Sequence, residues 1–371
     1  MKKKIDLGYL GSLALAVVLA LLVGAVIMLI TGHDPMAAYS ELVKGATGCN
    51  KWSDLLHIFS KRQFGNTLEY AMVLFLTGLA CAIGARVGIF NVGGEGQLYL
   101  GAIVSAYIGV LLSGRTPWVV IPMAALGAVI AGGFYAWIPG VLKVKLKVNE
   151  VITTIMMNSI AIYLCAYLSS GPWKTTQPNR VSGTETLADN LRFSRLIPGS
   201  NLTGAIFVSA VIAFLIWYIM AKTTKGYEMK LIGENPRFSF FSGLKVDRTI
   251  INTMVISGAI CGLVGMFEVY GLKGNYQDGI SNEYYFDGLL VAMIMRYDPV
   301  GIILMSFGFA FLKVGAAGME LNAGVPGELY RIIQAVIIFF MAAQNGVSTM
   351  LKAYLADRKA KKQLKGGSVH G

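Results

Sequence analysis

Apolar runs of membrane-crossing length recur from one end of this chain to the other. The stretch from Leu10 to Ile30 carries no charged residue, and about 20 apolar residues are enough to cross a bilayer. Of 371 residues, 55% are hydrophobic and only 14% charged, against roughly 25% charged in a soluble domain. The bilayer is therefore the natural solvent, and the expected fold is an all-α, polytopic integral membrane bundle. About ten spans are predicted, near 8–31, 67–86, 89–113, 117–140, 148–169, 204–222, 249–272, 284–297, 298–318 and 328–350, forming a single transmembrane domain over 1–371. Two of these are weak. The span at 89–113 contains a polar segment, and the one at 284–297 is too short for a full crossing unless broken or tilted.

Met1-Lys-Lys-Lys ahead of the first apolar run resembles a signal peptide. The run is longer than a usual signal core, and no small-x-small site precedes Thr31, so it reads as an uncleaved first span. The four cysteines, Cys49, Cys81, Cys165 and Cys261, lack metal spacing, and three lie within apolar runs. They read as small core residues.

A net charge of +12 could suggest nucleic acid, but its distribution follows topology. With both termini on the cytoplasmic side, 20 Lys and Arg fall on that side and 10 on the other, the bias that the positive-inside rule describes. The basic tail within 351–371 then faces anionic lipid headgroups rather than nucleic acid. Two long outer loops, 32–66 and 170–203, could receive an external partner or simply connect spans. Gly258 and Gly262 have the small-xxx-small spacing of closely packed membrane helices.

One stretch interrupts the apolar pattern. Residues 86–101 bring Asn91, Glu95 and Gln97 together among glycines, and on a helix Asn91, Glu95 and Tyr99 share a face. Bare backbone or an ionisable group at membrane depth persists only where protein or a water-filled cavity receives it. The segment is either a discontinuous or re-entrant element lining a substrate path, or a hydrogen-bond network pinning helices. Asn158, inside another span, is a further candidate to touch cargo. Glu268 and Lys313 lie at similar depth and are expected to form an ion pair, since desolvated charges need partners.

The polar segment 222–248 is a second feature. Asn235 before Pro236 marks a helix start. Phe238, Phe241 and Leu244 follow at spacing three, predicting a short amphipathic helix between Gly233 and Gly243. Such a helix docks on a partner or lies at the interface. The sequence has no G-x-x-x-x-G-K-[ST] loop for ATP phosphates, no metalloprotease or nucleophile-elbow motif, no metal-binding spacing, and only three histidines. A membrane enzyme therefore has no visible catalytic set.

Gly88-Ile-Phe-Asn-Val-Gly-Gly-Glu-Gly-Gln97 followed by Gly101-Ala, together with Gly233-Glu-Asn-Pro-Arg followed by Ser242-Gly-Leu, resembles the permease subunits of bacterial ABC importers. The match is to the family serving ribose, branched-chain amino acids and nucleosides, and is nearest the nucleoside branch that works with a basic membrane lipoprotein. Val92 stands where that branch usually has isoleucine. The resemblance runs from about residue 10 to 350, leaving the 170–203 loop and the basic tail unmatched. It implies an importer for nucleosides or related simple sugars in the bacterial plasma membrane, with both termini cytoplasmic. The partners it implies are a second permease, often a different chain, an external substrate-binding lipoprotein, and a cytoplasmic ATPase that holds the ATP and magnesium, leaving none in this chain. It assigns Gly233, Glu234, Asn235 and Arg237 to a coupling helix on the ATPase, and Asn91, Glu95 and Gln97 to the translocation path. A self-contained secondary transporter of small polar metabolites is the rival. Inverted repeats would then be expected, yet the string at 88–97 has no counterpart after residue 250.

Overall fold

The computed structural model describes residues 7–49, 52–176 and 183–341. Among them helix is the dominant element, and an isolated bridge between Arg195 and Thr203 is the only strand-like pairing. The helices are α1 (Leu7–Ile30), α2 (Pro35–Thr47), α3 (Arg62–Arg86), α4 (Gly94–Leu111), α5 (Pro117–Leu146), α6 (Glu150–Ser170), α7 (Ala205–Lys222), α8 (Thr224–Glu234), α9 (Pro236–Phe241), α10 (Val246–Phe267), α11 (Tyr284–Ile294) and α12 (Pro299–Ala323). A last apolar helix, α13, covers Leu329–Met341. The basic tail at 351–371 lies outside the described residues.

Each of the ten expected spans corresponds to a helix, but they are not equivalent. Seven are long and apolar enough to cross a membrane. Of the other three, α4 falls short by polarity and α11 by length, while α13 is described only to Met341 and the 342–350 part of its expected span lies outside the described residues. α4 starts at Gly94 rather than near 89, because residues 87–93 leave the helix.

The chain forms two compact units, Met1–Leu42 with Ala316–Gly371, and Val43–Gly315. In the smaller unit Tyr39 donates its hydroxyl to the Leu21 carbonyl across Gly24 of α1. Asn322 donates to Glu41 at 2.9 Å, and His33 bonds the Gly324 carbonyl at 3.1 Å.

In the larger unit α3, α4 and α10 form the interior. Gly262 lets α10 approach two helices at once: a methyl there would collide with the Ala128 carbonyl of α5, and one at Gly101 of α4 would collide with Gly262 itself. Gly258 meets Gly132 in the same way, so the small-xxx-small pair is a packing surface, as its spacing predicts. Cys81, Cys165 and Cys261 are buried and unbridged. Around this interior, α5, α6 and α7 turn large apolar side chains outward, among them Phe134, Ile160, Tyr163, Phe207 and Phe214. Helices apolar on their outer face suit lipid.

At the end of α10 the helix widens into a π turn, Glu268–Lys273. The described part of the 170–203 loop folds back onto it rather than standing in solvent. Leu187 donates its amide to the Gly274 carbonyl at 2.8 Å, and Phe193 donates to the Tyr270 carbonyl at 2.9 Å.

Candidate functional site

α3 ends at Arg86, and Gly88 takes φ +79°, a left-handed turn that suits glycine. The backbone then runs unwound to Gly93. Unwound backbone in a buried place must find partners, and those here come from three helices, α3, α6 and α11. Ile89 donates to Gly84 at 3.1 Å. The Val92 amide donates to Thr154 Oγ1 at 3.3 Å, while the Val92 carbonyl accepts from Asn158 Nδ2 at 2.9 Å. The Asn91 carbonyl accepts from the Tyr285 hydroxyl.

Asn91 is fully buried and uses its whole capacity. Its Nδ2 donates to Gln97 Oε1 and to Ser257 Oγ, both at 2.9 Å. Its Oδ1 accepts from the Gly93 amide at 3.0 Å and from Gln97 Nε2 at 3.2 Å. An asparagine amide offers two donors and one two-lone-pair oxygen, so nothing is left over. Asn158 sits in α6 and clamps the start of α4, accepting from the Gly96 amide at 2.9 Å. Gly96 allows this, because an added methyl there would lie 2.9 Å from Ala161 Cβ and 3.0 Å from Asn158 Cα.

Glu95 reaches the other way. It lies in the first turn of α4, where a carboxylate suits the helix dipole, and its Oε2 accepts from the Tyr285 amide at 3.1 Å. Tyr285 is in the first turn of α11, whose preceding residue, Glu283, provides no side-chain cap. Glu95 thus caps a second helix from outside it. The Tyr285 ring lies directly on Gly94, where any Cβ would overlap it.

The structure therefore brings Asn91, Glu95, Gln97 and Asn158 into one knot with Thr154, Ser257 and Tyr285. The last three were not singled out from sequence. Thr154 and Ser257 are one-hydroxyl residues in apolar helices, and the Tyr284-Tyr285 pair looks like any apolar start of a short span.

The 222–248 segment is two helices, not one. α8 ends at Glu234, and Asn235 then caps α9, accepting from the Phe238 amide at 3.0 Å with Pro236 in the first turn. The helix start falls where Asn-Pro predicted it. The expected amphipathic arrangement differs, because α9 stops at Phe241 and its only buried residue is Ser239. Phe238, Phe240 and Phe241 point outward, with Phe241 86% exposed, so the apolar face is turned away from the chain's own core. Glu234, Asn235 and Arg237 are exposed beside it. Among the described residues Glu234 pairs with Lys230 of its own helix, at 3.6 Å. Gly233 behaves differently: a methyl on it would collide with the Arg86 carbonyl and come 3.2 Å from the Gly88 amide. α8 therefore rests, backbone on backbone, on the turn that opens the polar knot.

The expected Glu268–Lys313 ion pair does not form. Lys313 Nζ lies 3.7 Å from Asp287 and over the Tyr70 ring at 4.8 Å. Glu268 faces Glu69 of α3, a residue not singled out from the sequence, with Lys273 as the neighbouring cation. The two chosen charges were at compatible depths, but helical phase aims them at different neighbours.

Residues 63–342 match the family model described as the permease component of the branched-chain amino acid transport system. The chain is similar to the guanosine ABC transporter permease protein NupP of Bacillus subtilis, with 34% identity over 90% of this chain and 93% of the relative. It is also similar to the nucleoside ABC transporter permease protein NupB of Lactococcus lactis, with 32% identity over 94% and 96%. Against the glucose ABC transporter permease protein TsgB13 of Haloferax volcanii the identity is 31%, over 89% and 86%. No solved structure matches. With an unwound polar segment clamped inside a helical membrane bundle and a family match across most of its length, this chain belongs to the branched-chain amino acid transport system permease family, the membrane-spanning subunits of ABC transporters.

Proposed function

We propose that this chain is one permease subunit of an importer carrying nucleosides or related simple sugars, the cargo class named for the relatives above. A second permease of different sequence completes the route, and an external lipoprotein delivers cargo. A cytoplasmic ATPase binds ATP and magnesium and carries out hydrolysis; this chain performs no chemistry and holds no cofactor. It works as a single permease domain in the bacterial plasma membrane, surrounded by lipid and away from nucleic acid. Both termini are cytoplasmic, on the side favoured by the 20-to-10 distribution of basic residues.

Asn91, Glu95, Gln97 and Asn158 form the wall of the route, holding its unwound segment in shape. Gly233, Glu234, Asn235 and Arg237 seat the α8–α9 corner in the ATPase. The outward Phe238, Phe240 and Phe241 supply the apolar anchors that such grooves bind.

The observation that carries this reading is the contact of Gly233 with Arg86 and Gly88. A displacement of α9 by the ATPase reaches the 86–88 turn with no side chain between to absorb it. From that turn the chain runs directly through the knot into α4. Alternating access then follows from movement of the knot and the helices it clamps. Glu234→Ala and Arg237→Ala test the docking. Both variants should insert normally yet lose uptake and transport-linked ATP hydrolysis in the assembled transporter. Normal uptake in either would contradict the docking role.

A further inference from the structure

A second polar cluster lies where α3, the π turn after α10 and α11 meet, and it is built differently from the knot. Glu268 is 1% exposed, and among the described residues neither of its carboxyl oxygens has a hydrogen-bond donor placed on it. Buried carboxyl oxygens nearly always find donors, and one left without them calls for an explanation. The neighbouring carboxyl is that of Glu69, which is partly exposed. A proton shared between the two would still leave one Glu268 oxygen without a donor. The π turn that ends α10 begins at Glu268.

The surroundings narrow the ligand. Tyr284 is close to both carboxyls and packs edge-to-face on Tyr70, with ring centroids 5.5 Å apart. Lys273 is the neighbouring cation. Among the described residues no group of three or more His, Cys, Asp or Glu is placed to hold a metal ion. Unpaired acceptor oxygens beside tyrosine rings, with no metal-binding group of side chains among the described residues, suit a neutral, donor-rich, ring-shaped ligand better than a cation.

Resting on the proposed cargo class, we infer that Glu268, with Glu69 beside it, is a cargo station that accepts hydrogen bonds from the vicinal hydroxyls of a ribose or similar sugar, against the Tyr70 and Tyr284 rings. Two O–H groups on adjacent carbons can reach the acceptor oxygens that the paired carboxyls leave unmet. Glu69, partly exposed, is the side from which cargo arrives, and Glu268 is the side closed off in this conformation.

The test is uptake by the complete transporter in proteoliposomes, with saturating loaded binding protein, of guanosine and of 2′,3′-dideoxyguanosine. These two probes differ only in the hydroxyls. Wild type should move guanosine faster. Glu268→Gln should cut guanosine uptake about tenfold, the scale of one lost hydrogen bond, and dideoxyguanosine uptake far less, so that the preference collapses. Glu69→Gln should shift the ratio in the same direction, and serves alone if the first variant does not reach the membrane. Equal losses for both cargoes, an unchanged ratio, or a wild type indifferent to the hydroxyls would overturn the station while leaving the importer reading intact. A wild type that moves none of the common ribonucleosides or simple sugars would overturn that reading and the station with it.

Discussion

The knot at Asn91 and the cluster at Glu268 are both buried polar sites inside an apolar bundle, yet their hydrogen-bond accounts are opposite. Asn91 uses every donor and acceptor it has, and the backbone around it is held by Thr154, Asn158 and Tyr285. Glu268 uses none. A satisfied network stabilises and fixes one geometry, whereas an unsatisfied one is a standing cost. The difference separates architecture from recognition: one site spends its polarity on the protein, and the other keeps it for something else. Polarity in a membrane segment is therefore not by itself a sign of cargo contact. The count of unmet bonds is the more telling quantity.

Breaking the knot should produce the largest effect. Asn91→Ala removes four hydrogen bonds and strands Gln97, Ser257 and the Gly93 amide, costing about 3 kcal/mol or more. Thermal unfolding of the purified transporter in detergent should show a large drop, together with low membrane yield. Gly262→Ala tests the frame around the knot. The added methyl meets backbone on α5, and overpacking of this kind costs about 1–3 kcal/mol, read by the same unfolding measurement.

Glu95→Gln is gentler. The amide oxygen can still accept from Tyr285, so stability should change by about 1 kcal/mol or less. If the knot forms the wall of the route, uptake should fall while the amount in the membrane stays constant. Loss of the protein itself would mean that the network only pins helices. Phe241→Ser, at an 86% exposed position, should leave stability within about 0.5 kcal/mol. Its effect should appear instead as weaker retention of the ATPase in a pull-down from membranes.

Much of this was legible in the sequence. The ten apolar segments became helices because bilayer-length runs have few alternatives, and Asn235-Pro236 starts a helix where its chemistry requires one. Asn91, Glu95, Gln97 and Asn158 were visible because polar side chains stand out in apolar runs. Their partners were not. Tyr285 is unremarkable in sequence, and its position against Gly94 arises from tertiary packing across nearly two hundred residues. Glu69 was hidden near the start of α3, among other polar residues. The expected Glu268–Lys313 pair failed because depth can be read from a sequence, whereas the direction in which a helix aims its side chains depends on its packing. The outward phenylalanines of α9 follow from its short length, which leaves one buried position, Ser239, rather than a full apolar stripe.

The contrast between the two sites is tested most directly by Glu268→Met, measured for unfolding temperature and nucleoside uptake in one preparation. Replacing an unpartnered buried carboxyl with an apolar side chain of similar size should stabilise the protein by about 1–3 kcal/mol. The same substitution should reduce uptake sharply. A raised unfolding temperature with lost transport is the predicted result, opposite in sign to Asn91→Ala for stability. A lowered unfolding temperature, or uptake as in wild type, would contradict the account.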